Sequence, residues 1–366
     1  MIYRARVVVT MDGPPIENGA VAISENRIFD VGSFGKIKAR NSGEIVDLGE
    51  RALLPGLINT HCHLDYTCLR GKIAPQKSFT DWIRAINAAK ASLSEEDYVP
   101  SINEGFAEAK RFGTTTIANL TAYPELISKI DEPIRTWWFA ELIDIRSPDR
   151  ANEIVDLAIE SLKSKKNWGL APHALFTASP NLFHRCEEIA RRENILLTTH
   201  LAESREEMSM FCDGTGSLFE FMKEIGRPID DCGQATPLEV FVATLSGSAL
   251  PQKWIIAHLN ELSESDFDLL ARSTSKFHLV HSPRSHGYFA HSPFAEMRAF
   301  QRNEPNVSPR KIFEMVTVNA ARALNQQNAL GRIRPGFHVD LTSIPCSGST
   351  NLFEEIVAFD QPVQSG

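Results

Sequence analysis

Short apolar runs alternate with stretches of helical periodicity along most of this chain. The runs are Leu53–His63, Thr114–Leu120, Thr136–Ile143, Trp168–Leu175, Ile195–His200, Trp254–His258 and Lys276–His281. Between them, apolar positions recur at helical spacing over Phe79–Ser92, Tyr98–Arg111, Asn152–Lys165, Asn181–Arg192, Ser217–Ile225, Pro237–Leu245, Ser263–Arg272 and Pro309–Leu324. Strand-then-helix repetition of this kind predicts βα units around a parallel sheet. The two ends read differently. Arg6–Met11, Ala20–Ser24, Arg27–Val31 and Glu44–Leu48 are short β-rich segments closed by turn residues. Asp340–Pro345 and Phe353–Phe359 are predicted as strands near the other terminus.

This pattern predicts an α/β protein with a (β/α)₈ TIM barrel, of which seven strands are seen and the eighth is missing from the sequence, and a small β-sandwich module formed by both termini. The expected division is residues 1–52 with 331–366 for the module and 53–330 for the barrel. The chain has 366 residues, and a barrel needs about 250, so a second module accounts for the surplus.

Composition narrows the function. The net charge is −8 and the 38 Lys and Arg residues are scattered, which argues against nucleic acid and anionic membranes as partners. No apolar run approaches the ~18 residues of a membrane span. The start, MIYRARVVVTMDG, does not read as a signal peptide. Six cysteines occur without any C-x-x-C pair, the pattern of free thiols in a reducing cytoplasm.

The candidate chemistry lies where the apolar runs end. His61 and His63 are two apart, and on a strand such residues share a face. An H-x-H pair alone is weak evidence. Here it closes an apolar strand, at the end of a barrel where active sites lie. His173, His200, His258 and His281 close four further runs. Imidazoles gathered in this way suit zinc, with iron or manganese as alternatives. Strand alternation points Cys62 away from its histidine neighbours. Trp82 reads as a core residue, His278 and His291 as weaker candidates, and His338, near the terminal module, as structural.

Four stretches together carry a resemblance: LPGLINTHCHLD (54–65), TTHLAES (198–204), IIAHLNEL (255–262) and TVNAARAL followed by GRIRPGFHVDL (317–324 and 331–341). They resemble the amidohydrolase superfamily, in its cytosine, guanine and S-adenosylhomocysteine deaminase branch. That branch includes aminodeoxyfutalosine deaminases and triazine chlorohydrolases. The resemblance implies His61, His63 and His200 as ligands of one divalent ion. It implies Glu203 as a proton-shuttling carboxylate, His258 as a partner of the attacking water, and His173 as a substrate contact. Arg284 and His286, in the HSPRSH segment after the seventh run, are substrate-recognition candidates. The implied reaction is hydrolytic deamination of an aminated purine or related heterocycle. Triazine dechlorination and cyclic-amide opening are alternatives on the same machinery, and a catalytically silent ligand-binding barrel is an alternative of another class. A homodimer is the assembly the resemblance suggests.

One departure stands out. The resemblance calls for an eighth strand ending in a metal-binding Asp. Here Phe294 runs directly into Ala295-Glu296-Met297, which read as the helix following that strand. Asp340 and Asp360 belong to the terminal module. A shortfall of about thirty residues, one βα unit, is expected between Phe294 and Ala295. A barrel without its last strand leaves open edges. The expectation is therefore an omitted segment, with a Phe294–Ala295 Cα separation greater than about 3.8 Å.

Overall fold

The computed structural model describes residues 1–145, 147–245, 254–272, 277–284, 291–348 and 351–363. Thirteen strands among these residues form two sheets. The first sheet contains β1 (Ile2–Val8), β2 (Ile16–Ser24), β3 (Arg27–Ser33), β4 (Ile45–Asp47), β5 (Arg51–Pro55) and β13 (Leu341–Pro345). Its order is β13-β5-β1-β2-β3, with β4 also on β1. The sheet thus joins both ends of the chain. The run Leu53–His63 is divided between the sheets, because β5 pairs antiparallel with β13 and Gly56 separates it from β6 (Leu57–Cys62).

The second sheet is entirely parallel. It runs β6, β7 (Thr114–Thr121), β8 (Arg135–Leu142), β9 (Trp168–Pro172), β10 (Leu196–Leu201), β11 (Trp254–His258) and β12 (His278–Val280), each strand beside the next. This is a TIM-like barrel of seven strands, nearly closed. Its outward residues form the largest core. Trp138, Leu170, Leu197, Trp254 and Ile256 pack there against Phe106, Phe183 and Phe241 of the surrounding helices. Its inward residues Ile58, Ala118, Leu120, Phe139, Ala171 and Ile255 form another cluster.

The expected gap in the chain is not found. A helix spans Pro293–Asn303 without interruption, and Ala295 and Glu296 both donate backbone hydrogen bonds to Ser292. Phe294 and Ala295 are therefore joined by an ordinary helical peptide. No eighth strand is paired between β12 and β6 among the described residues. The inward cluster instead takes in Ala320, Ala321 and Ala323 of the helix Val318–Ala323, together with Leu324 and Leu330. On the other side of β6, Ile58 donates its backbone N–H to Val316 O at 2.9 Å. Helical backbone and small side chains cover apolar surface that an eighth strand would cover.

Two further expectations are corrected. Phe353–Phe359 is not a strand, because Leu352–Ala358 is a helix with Glu354 and Glu355 in its first turn. Acidic side chains favour that end of the helix dipole, and Ile356 and Val357 bury against Phe313, Met297 and Ile344. Pro309–Leu324 is two helices, Pro309–Met315 and Val318–Ala323. Thr317, between them, departs from helical geometry with φ −131° and ψ −92°.

Candidate metal and proton-transfer site

The strand ends of the second sheet open into a cavity of about 710 Å³. His61, His63, His173, His200, Glu203 and His258 line it together. They come from β6, the residue after β9, and the ends of β10 and β11, so chain topology brings together groups nearly 200 positions apart in sequence.

Local irregularities aim three of these side chains. Ile58 faces inward and Cys62 packs outward, although strict alternation would put both on one face. The β6–β7 register shifts between Asn59 and Cys62. A bulge of this kind reverses the alternation and turns His61 and His63 to the cavity. The Asn59 side chain accepts the His61 backbone N–H at 3.1 Å within the bulge. At the end of β11, Trp254 and Ile256 face outward, and alternation would send His258 the same way. His258 instead has φ 81°, and Leu259 has φ 47°. Left-handed backbone at non-glycine residues costs energy and gathers at functional sites; here it accompanies an inward imidazole.

His63 Nε2 and His200 Nε2 lie 3.3 Å apart. Two nitrogens bound to one tetrahedral zinc at about 2.0–2.1 Å would be separated by about 3.3 Å. His61, His63 and His200 offer ligand atoms all within 4.8 Å of one another. His200 Nδ1 donates to the His173 carbonyl at 2.9 Å, which fixes Nε2 as the nitrogen with the free lone pair. His61 Nδ1 is buried without a hydrogen-bond partner among the described residues. Burial, and then the neighbouring imidazoles, hold His61 and His63 well below the usual histidine pKa. Burial likewise lowers His200, and takes His173 to about 4. Neutral imidazole is the form that binds a metal, so these residues fit a divalent ion.

Glu203 stands beside this group. It is 9% exposed, and its Oε1 lies 3.3 Å from His258 Nε2. Its backbone is fixed from two sides: its N–H donates to Glu207 at 2.8 Å, and its carbonyl accepts from Asn260 at 3.0 Å. Ser204, not Glu203, caps the helix Arg205–Asp213 by accepting from the Glu207 N–H. A helix-capping role for Glu203 is thereby set aside. Glu206 of that helix accepts from the Phe79 and Thr80 backbone and from the Thr80 and Ser217 hydroxyls, tying the helix Phe79–Lys90 to the site.

The remaining candidates separate. His173 lines the cavity, with Nδ1 2.6 Å from Thr177 Oγ1. Arg284 is turned to Glu296, 3.8 Å away; Glu296 itself borders the cavity. His286 lies outside the described residues. Trp82 is half-buried: it packs against the cluster of Tyr66, Ile86 and Tyr98, stacks on Phe79 and also lines the cavity. His278 and His281 both border the cavity, at the sheet's edge strand. His291 also lines it, deeply buried, with Nε2 on Thr67 Oγ1 at 2.8 Å.

Sequence reasoning missed Glu141 and Tyr66. Tyr66 stacks on His63, with ring planes 14° apart. Glu141 lies two residues beyond inward-facing Phe139 on β8 and reaches the cavity beside His63 and His173. Burial raises its pKa. It is the one charged residue within Thr136–Ile143, and counting faces along that strand would have exposed it.

A barrel that converges three metal-competent imidazoles and a buried carboxylate at its strand ends has the makings of a metal-dependent hydrolase. The chain belongs to the amidohydrolase family, whose model matches residues 52–299. It is 25% identical over 394 residues to a 5-methylthioadenosine/S-adenosylhomocysteine deaminase of Nitratidesulfovibrio vulgaris, covering 94% of this chain and 83% of that protein. Its fold is similar to that of an aminofutalosine deaminase from Helicobacter pylori, solved with methylthio-coformycin. The TM-score is 0.85 at 16% identity, over 99% of this chain and 97% of that one. It is also similar to an adenosine deaminase from Xanthomonas campestris solved with bound zinc. There the TM-score is 0.78 at 19% identity, over 99% and 90% of the two chains. Among the described residues, no helix is long and apolar enough to cross a membrane.

Proposed function

We propose that this chain is a hydrolytic deaminase of an aminated purine, with purine nucleoside derivatives as the leading substrates. The observation that carries the reading is the close placement of two groups: the His61–His63–His200 set, and Glu203 Oε1 held 3.3 Å from His258 Nε2. The imidazoles would hold one divalent ion, zinc first and iron or manganese as alternatives. Such an ion, when bound, brings the pKa of water to about 7 and so supplies a nucleophile at neutral pH.

The protein's own residues do the rest. Deamination by water forms a C–O bond and breaks the C–N bond, and both protons of the water must move, one to the ring nitrogen and one to the amine that leaves as ammonia. Glu203 is the group placed to carry them, cycling between carboxylate and acid. His258 holds the Glu203 carboxylate and the nucleophile in register. Tyr66 keeps His63 in its orientation by stacking. Phe79, Trp82, Ile83, Phe176 and Phe221 give the cavity an apolar wall, suited to a flat heterocycle with an apolar substituent. His173 is the candidate substrate contact. Arg284 and His286 are candidates for recognising its polar end. The names of the 5-methylthioadenosine/S-adenosylhomocysteine deaminase and the adenosine deaminase that this chain resembles support this choice of substrate, while its likeness to an atrazine chlorohydrolase keeps the triazine alternative in the panel.

The lack, among the described residues, of an eighth strand ending in a metal-binding Asp favours a second reading, a catalytically silent barrel that binds a ligand. A panel of adenosine, S-adenosylhomocysteine, guanine, aminodeoxyfutalosine, a chlorotriazine and a cyclic amide separates the readings. Zinc-loaded protein should release ammonia from at least one aminopurine. Chloride release or ring opening alone would place it with the alternative hydrolases, and no turnover with zinc bound would support the silent barrel.

A further inference from the structure

The cavity holds a second convergence of ligand atoms. Glu141, His173 and His200 offer a carboxylate oxygen and two imidazole nitrogens, all within 4.8 Å of one another. They come from the adjacent strands β8, β9 and β10, at or just beyond the strand ends.

Hydrogen bonding identifies the lone pairs. His200 Nδ1 faces the His173 carbonyl at 2.9 Å. A carbonyl only accepts, so Nδ1 carries the proton and Nε2 is an acceptor. Thr177 Oγ1 donates to the Ala174 carbonyl at 3.2 Å and so accepts from His173 Nδ1 at 2.6 Å. The Nε2 of neutral His173 is then an acceptor as well. That nitrogen lies 3.9 Å from Glu141 Oε1. The Glu141 side chain is 5% exposed, and no described residue donates a hydrogen bond to its Oε1. The His63 Nδ1 atom, at 3.7 Å, is beyond hydrogen-bond range. Glu141 Oε1 and His173 Nε2 thus face one another with His200 beside them, and no described residue donates to that carboxylate oxygen. A buried carboxylate in such a place calls for a positive partner.

We propose that Glu141, His173 and His200 form a second position for a divalent cation. Two imidazoles and one carboxylate are a ligand set that zinc adopts. The position overlaps the first through His200, whose single Nε2 lone pair serves one ion at a time. The chain therefore holds one ion in either of two places, and Glu141 with His173 draws it toward the second. This goes beyond the proposed function, which uses only the first position.

Cobalt binding to the metal-stripped full chain tests it, followed by visible absorption and by competition with a chelator. His61→Ala with His63→Ala removes two of the three imidazoles of the first position. The double variant should still bind one Co²⁺ per chain, with a spectrum different from wild type. Adding Glu141→Gln should weaken that binding at least roughly tenfold. Glu141→Gln alone should leave one ion per chain. A natively folded double variant that binds no Co²⁺, or binding indifferent to Glu141→Gln, would overturn the proposal. If the double variant does not fold, His61→Asn with His63→Asn replaces it and is read in the same way. Wild type that binds no ion at all would overturn both this proposal and the proposed function, whereas loss confined to the double variant overturns this proposal alone.

Discussion

Glu203→Gln separates proton transfer from every other contribution of the site. Gln matches Glu in shape, and the position is 9% exposed, so the change neither opens a cavity nor admits much water. The backbone stays anchored by Glu207 and Asn260. What the change removes, on the proposed role of Glu203, is the capacity to take up and return a proton 3.3 Å from His258. Positioned acid–base groups contribute roughly 10²–10⁴ in rate, equivalent to about 2.7–5.5 kcal/mol of barrier. The expected result is a fall of that size in kcat for ammonia release. KM should change little, because the apolar wall is untouched. Bound zinc, measured by elemental analysis, should equal that of wild type, since Glu203 is outside the His61–His63–His200 set. A kcat within about threefold of wild type, far short of that range, would refute the assignment. Loss of zinc from the variant would refute it differently, by making Glu203 a ligand.

Two predictions concern stability. A Cβ at Gly169 would sit 2.4 Å from Phe139 Cε1 and 2.5 Å from the Leu196 carbonyl, so Gly169→Ala should cost about 1–3 kcal/mol, read by urea denaturation; Gly35→Ala, with open space around it, should be neutral or stabilising, and equal effects would contradict the packing argument. Burial lowers His291 to about 3 from an ordinary 6.5, so between these values the unfolded chain binds the extra proton. The contribution of His291 is then full above pH 6.5 and lost as pH falls toward 3, with a ceiling of about 5 kcal/mol. Asp65, raised to about 7, and Glu207, raised to about 8, act with the opposite sign. The difference between wild type and His291→Gln isolates His291: the variant should lose less stability between pH 6.5 and 3, and parallel curves would contradict the assignment.

The barrel strands were legible because each is an apolar run bounded by polar helices, and the site because histidines close those runs. What escaped depends on the third dimension. A bulge at Asn59–Cys62 re-aims His61 and His63, and a left-handed turn accompanies the inward His258; neither has a local sequence signature. Glu141 was hidden inside an apolar run whose two faces were read as one. The segment 353–359 has aromatic and β-branched residues that favour strand, but its burial against Phe313 and Met297 decided for helix. The missing eighth unit was visible as a shortfall at Phe294–Ala295. That the chain would run straight through it, with the helix Val318–Ala323 against the inward residues, followed only from packing.

As proposed, His61, His63 and His200 hold an ion used to deaminate a purine. Ammonia release from S-adenosylhomocysteine and adenosine, followed before chelation, after chelation and after zinc is returned, tests it most directly. Release should stop on chelation, return with zinc, and be absent from His200→Ala. A folded, zinc-loaded chain that releases no ammonia from any aminopurine, or release that persists without metal, would contradict it.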